Sequence, residues 1–395
     1  MKSKRAGCLR RGLIYCLFGG MALCLLALGF SAISNLGLPA GSKIKEQLSD
    51  LDKARLAEAF HLRHTLGDSV WPGWGQADIP AILYNEEYAF LVGLPDPAPG
   101  WNTVPDMTKL GELWEVVPGD TFEGQTYYRQ RLPGKGLTPQ NFTVLVGERW
   151  VGSLQTKEWM GISMARFLRD SVPSPLGIVF PYRLYSKLLI DGSDLYICLI
   201  LHEAFHAYEG ISMPEQLKTA EIAARQAESR YPWDDQSFNN SWKTELDLLS
   251  KALQTDSLPE LTDFARQFLA ARQERRASQG LSQDMAEFER QREWEEGLAK
   301  YMELAMWRAG ATTPDYHPLP AMDTDQDFKR YTTFEKRWAQ EAAQARRLGD
   351  DVRFYYAGFA QAVILDHLSP GWKERIFSKE DIWLEDLIGE ALRSR

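Results

Sequence analysis

The chain has 395 residues, a quarter of them charged, and a formal net charge of −9. That length buries a large core and suits one big domain or two ordinary ones, and the composition is that of a folded protein. The acidic balance argues against nucleic-acid binding through a basic surface.

Lys2, Lys4, Arg5, Arg10 and Arg11 precede an uncharged, strongly apolar stretch from Gly12 to Ile33, and the next charge is Lys43. The stretch is about the length of a membrane-spanning helix. Residues 1–11 therefore read as a cytoplasmic basic tail, 12–33 as a transmembrane signal anchor and 34–42 as a linker, with residues 43–395 outside the cytoplasm by the positive-inside rule. A signal peptide cut near Ser31 or Ser34 is the competing reading. Of the four cysteines only Cys198 lies beyond this segment, so the body forms no intrachain disulfide, which fits a bacterial envelope protein better than a small secreted one.

Lys43 to Thr65 has helical spacing and many charges, and reads as a partly exposed helix leading away from the membrane. Ala81 to Tyr84 and Tyr88 to Val92 flank Asn85-Glu86-Glu87 and predict a hairpin. Further strands are expected at Phe142 to Val146, at Trp150 to Ser153 after the Gly147-Glu148-Arg149 turn, and at Gly177 to Tyr185. After Gly210 nearly everything is helical. Ser212-Met213-Pro214-Glu215 starts a helix, and helical patterns cover about Glu215 to Arg230, Gln236 to Gln254, Leu258 to Ala277, Ser282 to Arg308, Asp325 to Leu348, Asp351 to His367 and Lys379 to Arg393. The expected fold is α+β and predominantly helical: one domain over 43–395, a small N-terminal sheet followed by a large helical part, with a helical insertion at about 211–281.

Asp191 to Gly210 reads as one helix, capped by Ser193 or Asp191, with Asp194 at its positive end and Gly210 and Pro214 as its stop. Leu195 to Leu201 is apolar on every side, as expected of a helix through the middle of a domain. It carries His202-Glu203-Ala204-Phe205-His206. Positions i and i+4 share a helix face, so His202 and His206 can hold one metal ion with Glu203 beside it. Two buried histidines and a glutamate satisfied by hydrogen bonds alone are the plainer alternative.

A catalytic zinc needs three protein ligands and one open position. The metzincin pattern requires Gly three residues after the second His and a third His six after it, where this chain has Glu209 and Ser212. Downstream, Glu296-Gly297-Leu298-Ala299 resembles the N-E-G-F-A-like segment of the gluzincin group of zinc metallopeptidases, with Glu296 in the place of the third ligand. Glu295 stands where the aminopeptidases of that group have Asn, the gap from His206 to Glu296 is some four times longer, and no G-A-M-E-N-like segment precedes the motif. The resemblance spans two short motifs, and it implies a zincin-like fold and one catalytic Zn2+ on His202, His206 and Glu296.

Glu289, Glu293, Glu296 and Glu303 lie along one stripe of the Ser282 to Arg308 helix. A solvated acidic face is the bland reading of that stripe, and it is the one adopted for Glu289. Glu293 is the fallback ligand, and Glu293 or Glu303 could orient a liganding imidazole. Gly297 and Ala299 are expected to let the helix pack closely on the motif helix.

The expected activity is that of a membrane-anchored zinc metallopeptidase acting on a peptide or protein substrate, with Glu203 as general base. Gluzincins often stabilise the oxyanion with a Tyr or His of a later helix. Tyr355, three residues before Gly358, is the choice, with Tyr356 next; both are also natural core aromatics. His317 and His367 are available but read as structural or exposed. The alternative is a non-catalytic envelope binding or assembly protein that retains a zincin fold.

Overall fold

A computed structural model of the chain describes residues 2–134, 136–171, 181–190, 192–346 and 349–395, with side chains described outside 2–18, 188–189 and 228. The chain divides into two compact units, Met1–Lys43 with Thr156–Asp191, and Ile44–Gln155 with Gly192–Arg395.

The first unit is helical. Its long helix α1 (Lys2–Asn35) covers the expected anchor, and Met21, Leu23, Leu25, Leu26, Phe30 and Ile33 are exposed. Among the described residues no helix is long and apolar enough to cross a membrane, and residues 12–18 of the expected anchor carry no described side chains. Later in the chain come α3 (Lys157–Ser171) and α4 (Tyr182–Leu189), which pack on each other. Arg166 Nη2 donates to Ala40 O at 2.7 Å, tying α3 to the segment after α1. The strand expected at Gly177 to Tyr185 lies outside the described residues over 177–180, and from Tyr182 on it is helix α4 instead.

The second unit begins with α2 (Asp50–Val70), capped by Ser49, whose hydroxyl accepts from Asp52 N. As expected, α2 is partly exposed, at Asp50, Leu51, His64, Thr65, Asp68 and Ser69, but its buried face includes the charged residues Asp52, Arg55, Glu58 and Arg63. Arg55 Nε donates to Asp325 Oδ2 at 2.7 Å, and Glu58 accepts from the Tyr316 and Tyr331 hydroxyls. Partners some 260 residues away satisfy these groups, so local charge density misleads about exposure.

Eight strands form one sheet: β1 (Ala81–Tyr84), β2 (Tyr88–Val92), β3 (Trp101–Asn102), β4 (Lys109–Leu110), β5 (Glu115–Val116), β6 (Tyr128–Arg131), β7 (Phe142–Val146) and β8 (Arg149–Gln155), in the order β4-β3-β7-β8-β1-β2-β6-β5. The expected hairpin is present, with Ala81 opposite Val92, and the strands expected at Phe142 to Val146 and Trp150 to Ser153 pair as a second one, with Phe142 opposite Ser153. They join through the parallel pair β1/β8, where Ala81 matches Gly152. Strands β3 to β6 were not anticipated.

The motif helix is α5 (Ser193–Ser212), which starts after Gly192 without a side-chain cap; Asp191 lies outside the described residues. Asp194 instead accepts from the backbone N–H groups of Lys329 and Tyr331. Helices α6 (Pro214–Ala227), α7 (Gln236–Gln254), α8 (Leu258–Ser278) and α9 (Gln283–Thr312) follow. The helix expected over Asp325 to Leu348 shortens to α10 (Phe334–Gln344), preceded by turns; α11 (Val352–Leu368), α12 (Trp372–Ile376) and α13 (Leu384–Arg393) complete the unit. Helix α5 packs on β8 from one side and on α9 and α2 from others, which accounts for its all-round apolar surface. At Gly152 a Cβ would come within 3.0 Å of the Glu203–Ala204 backbone, so glycine lets β8 seat the motif helix.

Candidate metal centre

One turn of α5 places His202 and His206 on the same face, with their Nε2 atoms 3.2 Å apart. From α9, Glu296 brings Oε2 to 3.5 Å from each of them. These three are the group whose ligand atoms converge as a metal site would require, among the described residues. A tetrahedral ion about 2.0–2.1 Å from nitrogen and oxygen ligands holds them about 3.3–3.4 Å apart, so the triangle fits without rearrangement. Glu296 Oε2 is buried and accepts no hydrogen bond. An orphaned carboxylate oxygen aimed at two imidazoles is costly unless a cation lies between them.

Each imidazole is backed by a second carboxylate. His206 Nδ1 donates to Glu209 Oε2 at 2.8 Å, and Glu303 Oε2 lies 3.6 Å from His202 Nδ1. The hydrogen bond from Nδ1 fixes the His206 ring and leaves its Nε2 free for an ion, whereas His202 Nδ1 makes no hydrogen bond and meets Glu303 only at ion-pair distance. Rings cover the same histidines: Phe142 lies against His206, centroids 4.7 Å apart, and Tyr355 stacks on His202 at 6.2 Å and 11°.

The charges of the pocket favour a positive guest. Burial alone would depress His202, but Glu296 and Glu303 outweigh it and raise the group to about 9. Burial likewise opposes the shift at His206, which Glu209 and Glu296 push well up. At Glu296 burial is overcome by Arg292 and both imidazoles, which hold the carboxyl well below its usual range. Glu203 is raised to about 7, mainly by burial, with the imidazoles working the other way. Its Oε2 also lacks a partner. A carboxylate near neutrality beside a cation site is suited to exchange a proton with a bound water.

No protein-family model, curated protein or solved structure matches the chain.

The remaining candidates separate cleanly. Tyr355 faces the site, and burial together with the Glu296 charge pushes its phenol well up, so the hydroxyl stays a donor. Tyr356 points elsewhere, to Glu341 Oε2 at 2.7 Å and to Gln344. Glu293 gives its oxygens to Arg272 and Gln361 and is unavailable to an ion. The solvated-face reading of Glu289 fails: the carboxylate is fully buried and accepts from Arg275, Arg276 and the Tyr231 hydroxyl. His317 lends its carbonyl to His61, while His367 lines a separate cavity beside Asp366 and Trp338.

Gly297 also acts differently from expectation. A Cβ there would overlap the backbone of Gly358 on α11, so the small pair draws α9 onto α11, not onto the motif helix. That contact sets Glu296 and Tyr355 side by side. Sequence reasoning missed Glu209 and Arg292 in their present roles, although the spacings i+3 from His206 and i−4 from Glu296 are the signals that could have found them.

Proposed function

We propose that this chain is a zinc-dependent metallopeptidase of zincin type, with His202, His206 and Glu296 as metal ligands. The observation that carries the reading is the convergence of their three ligand atoms at 3.2–3.5 Å, with an otherwise unpartnered Glu296 oxygen at one corner. Bound there, a zinc ion supplies Lewis acidity, polarising a carbonyl and acidifying a water. Glu203 would take a proton from water as the water oxygen adds to the scissile carbonyl carbon, and pass it to the leaving amine as the C–N bond breaks. The Tyr355 hydroxyl donates a hydrogen bond to the developing oxyanion. Glu209 keeps the His206 imidazole in register, and Glu303 lends negative charge beside His202. On the sequence of residues 1–33 we place the catalytic unit outside the cytoplasm, held at a membrane by its N-terminal helix.

The test combines metal analysis with hydrolysis of a mixed peptide substrate by the purified chain. About one zinc per chain is expected, and Glu203→Gln should keep the metal while lowering turnover about 10²–10⁴-fold. A chain that takes up no zinc at neutral pH sinks the proposal. One observation favours a second reading, a non-catalytic binding or assembly module: His202, Glu203 and Glu296 retain 6, 8 and 6% exposure, a narrow approach for a polypeptide. Zinc uptake with no hydrolysis of any peptide would select that alternative.

A further inference from the structure

Arg292 stands one helical turn before Glu296 on α9, and its side chain is 7% exposed. Its Nη2 donates to Glu296 Oε1 at 2.9 Å, and Nη1 donates to Glu295 Oε2 at 2.6 Å. Nε reaches Asp351 Oδ1 at 3.2 Å, Nη2 also contacts Asp351 Oδ2, and Glu221 Oε1 is 3.5 Å from Nη1. The two oxygens of Glu296 thus differ: Oε1 is held by a guanidinium, while Oε2 faces both imidazoles without a hydrogen-bond donor.

We infer that Arg292 is a positioning residue that restricts Glu296 to ligation through one oxygen, an inference that rests on the metal-centre reading. A carboxylate can bind a cation through one oxygen or both, and a second oxygen would take the position that a water or substrate carbonyl requires. A charge-assisted bond from a planar guanidinium holds Oε1 away and draws electron density from the ligand, leaving the ion the stronger Lewis acid. Asp351 precedes α11 directly, so the same guanidinium ties the ligand to the helix that bears Tyr355. An Arg292 that merely neutralised Glu295 and Asp351 would affect stability and leave the ion's coordination alone.

The experiment compares full-length wild type, Arg292→Gln and Arg292→Lys loaded with cobalt(II), measuring the visible spectrum, metal affinity by chelator competition and thermal stability. Wild type should show the strong bands of a four-coordinate ion. Arg292→Gln should weaken those bands as the coordination number rises and lose about 10–100-fold in affinity. Arg292→Lys, with the charge but not the fork, should fall between them. Folded Arg292→Gln with the wild-type spectrum and affinity, even if less stable, overturns the inference. Should that variant fail to fold, Arg292→Lys carries the test: weakened bands and affinity support the inference, and a spectrum and affinity equal to wild type overturn it. Wild type that binds no metal removes the centre itself, a failure visible before any variant is made.

Discussion

In the first half of α9, Glu289 and Glu293 give every carboxylate oxygen to a guanidinium, a phenol or an amide, whereas Glu296, one turn further on, keeps one oxygen without a donor. The stretches share a helix, a residue type and near-complete burial. What separates them is the chemistry facing each carboxylate. Helices α7, α8 and α13 face Glu289 and Glu293 with Glu245, Arg272, Arg275, Arg276 and Glu385, a network of alternating charge crossed by Trp242, whose ring lies 4.2 Å from the Arg275 guanidinium. Helix α5 faces Glu296 with two imidazoles. A full set of donors ties Glu289 and Glu293 into the network, whereas the Glu296 oxygen left without one faces the two imidazoles.

The largest test of this contrast is Glu296→Ala, which should reduce retained zinc from about one per chain to near zero by metal analysis, because two ligands alone do not hold a catalytic ion. Glu289→Gln should do the reverse, keeping zinc in the folded chain while costing about 3–5 kcal/mol of stability in denaturant unfolding, since buried guanidinium groups lose their counter-charge. That variant also has a pH signature. The arginines hold Glu289 down, from 4.5 to about 2, against the opposing effect of burial. Its stabilisation is therefore present above pH 4.5 and is lost as the pH falls from there towards 2. Acid unfolding of the Gln variant should lose this component of its pH dependence, and a curve parallel to wild type through that window would count against the assignment.

Smaller effects sharpen the same distinction. Glu209→Gln leaves all three ligands in place and should weaken zinc binding about 10–100-fold in chelator competition, through a less firmly held His206. The smallest effect is expected at Tyr356, whose hydroxyl serves Glu341 and Gln344: Tyr356→Phe should cost about 1 kcal/mol in unfolding and leave turnover near wild type. A large loss of turnover there would exchange the roles of Tyr355 and Tyr356.

The motif helix was legible because both imidazoles and their glutamate obey one local periodicity, and the first hairpin and the strands of the second because short apolar runs flank compact turns. Two-residue strands such as β3 and β4 carry no alternation to detect. The ion network escaped notice for a different reason. Along Ala270-Ala271-Arg272-Gln273-Glu274-Arg275-Arg276 the pattern is that of a solvated surface, and only carboxylates from α7, α9 and α13 make burial of those arginines tolerable. Arg55 and Glu58 on α2 misled in the same way. Glu296 was reached through a resemblance of four residues, while the features that single it out, an oxygen facing both imidazoles and the Gly297–Gly358 contact beside it, exist only once distant helices meet.

The parallel pairing of β1 with β8 has a consequence for how the chain assembles. Residues 81–92 and 142–155 each close a hairpin locally, but the seam between them joins segments some 70 residues apart, and the seat for α5 lies on the β8 side of it. Long-range pairing is slow relative to hairpin closure. Pulse-labelled hydrogen exchange should accordingly find hairpin amides protected before those of the seam, with α5 and α9 acquiring theirs last; simultaneous protection would show the two halves of the sheet forming as one.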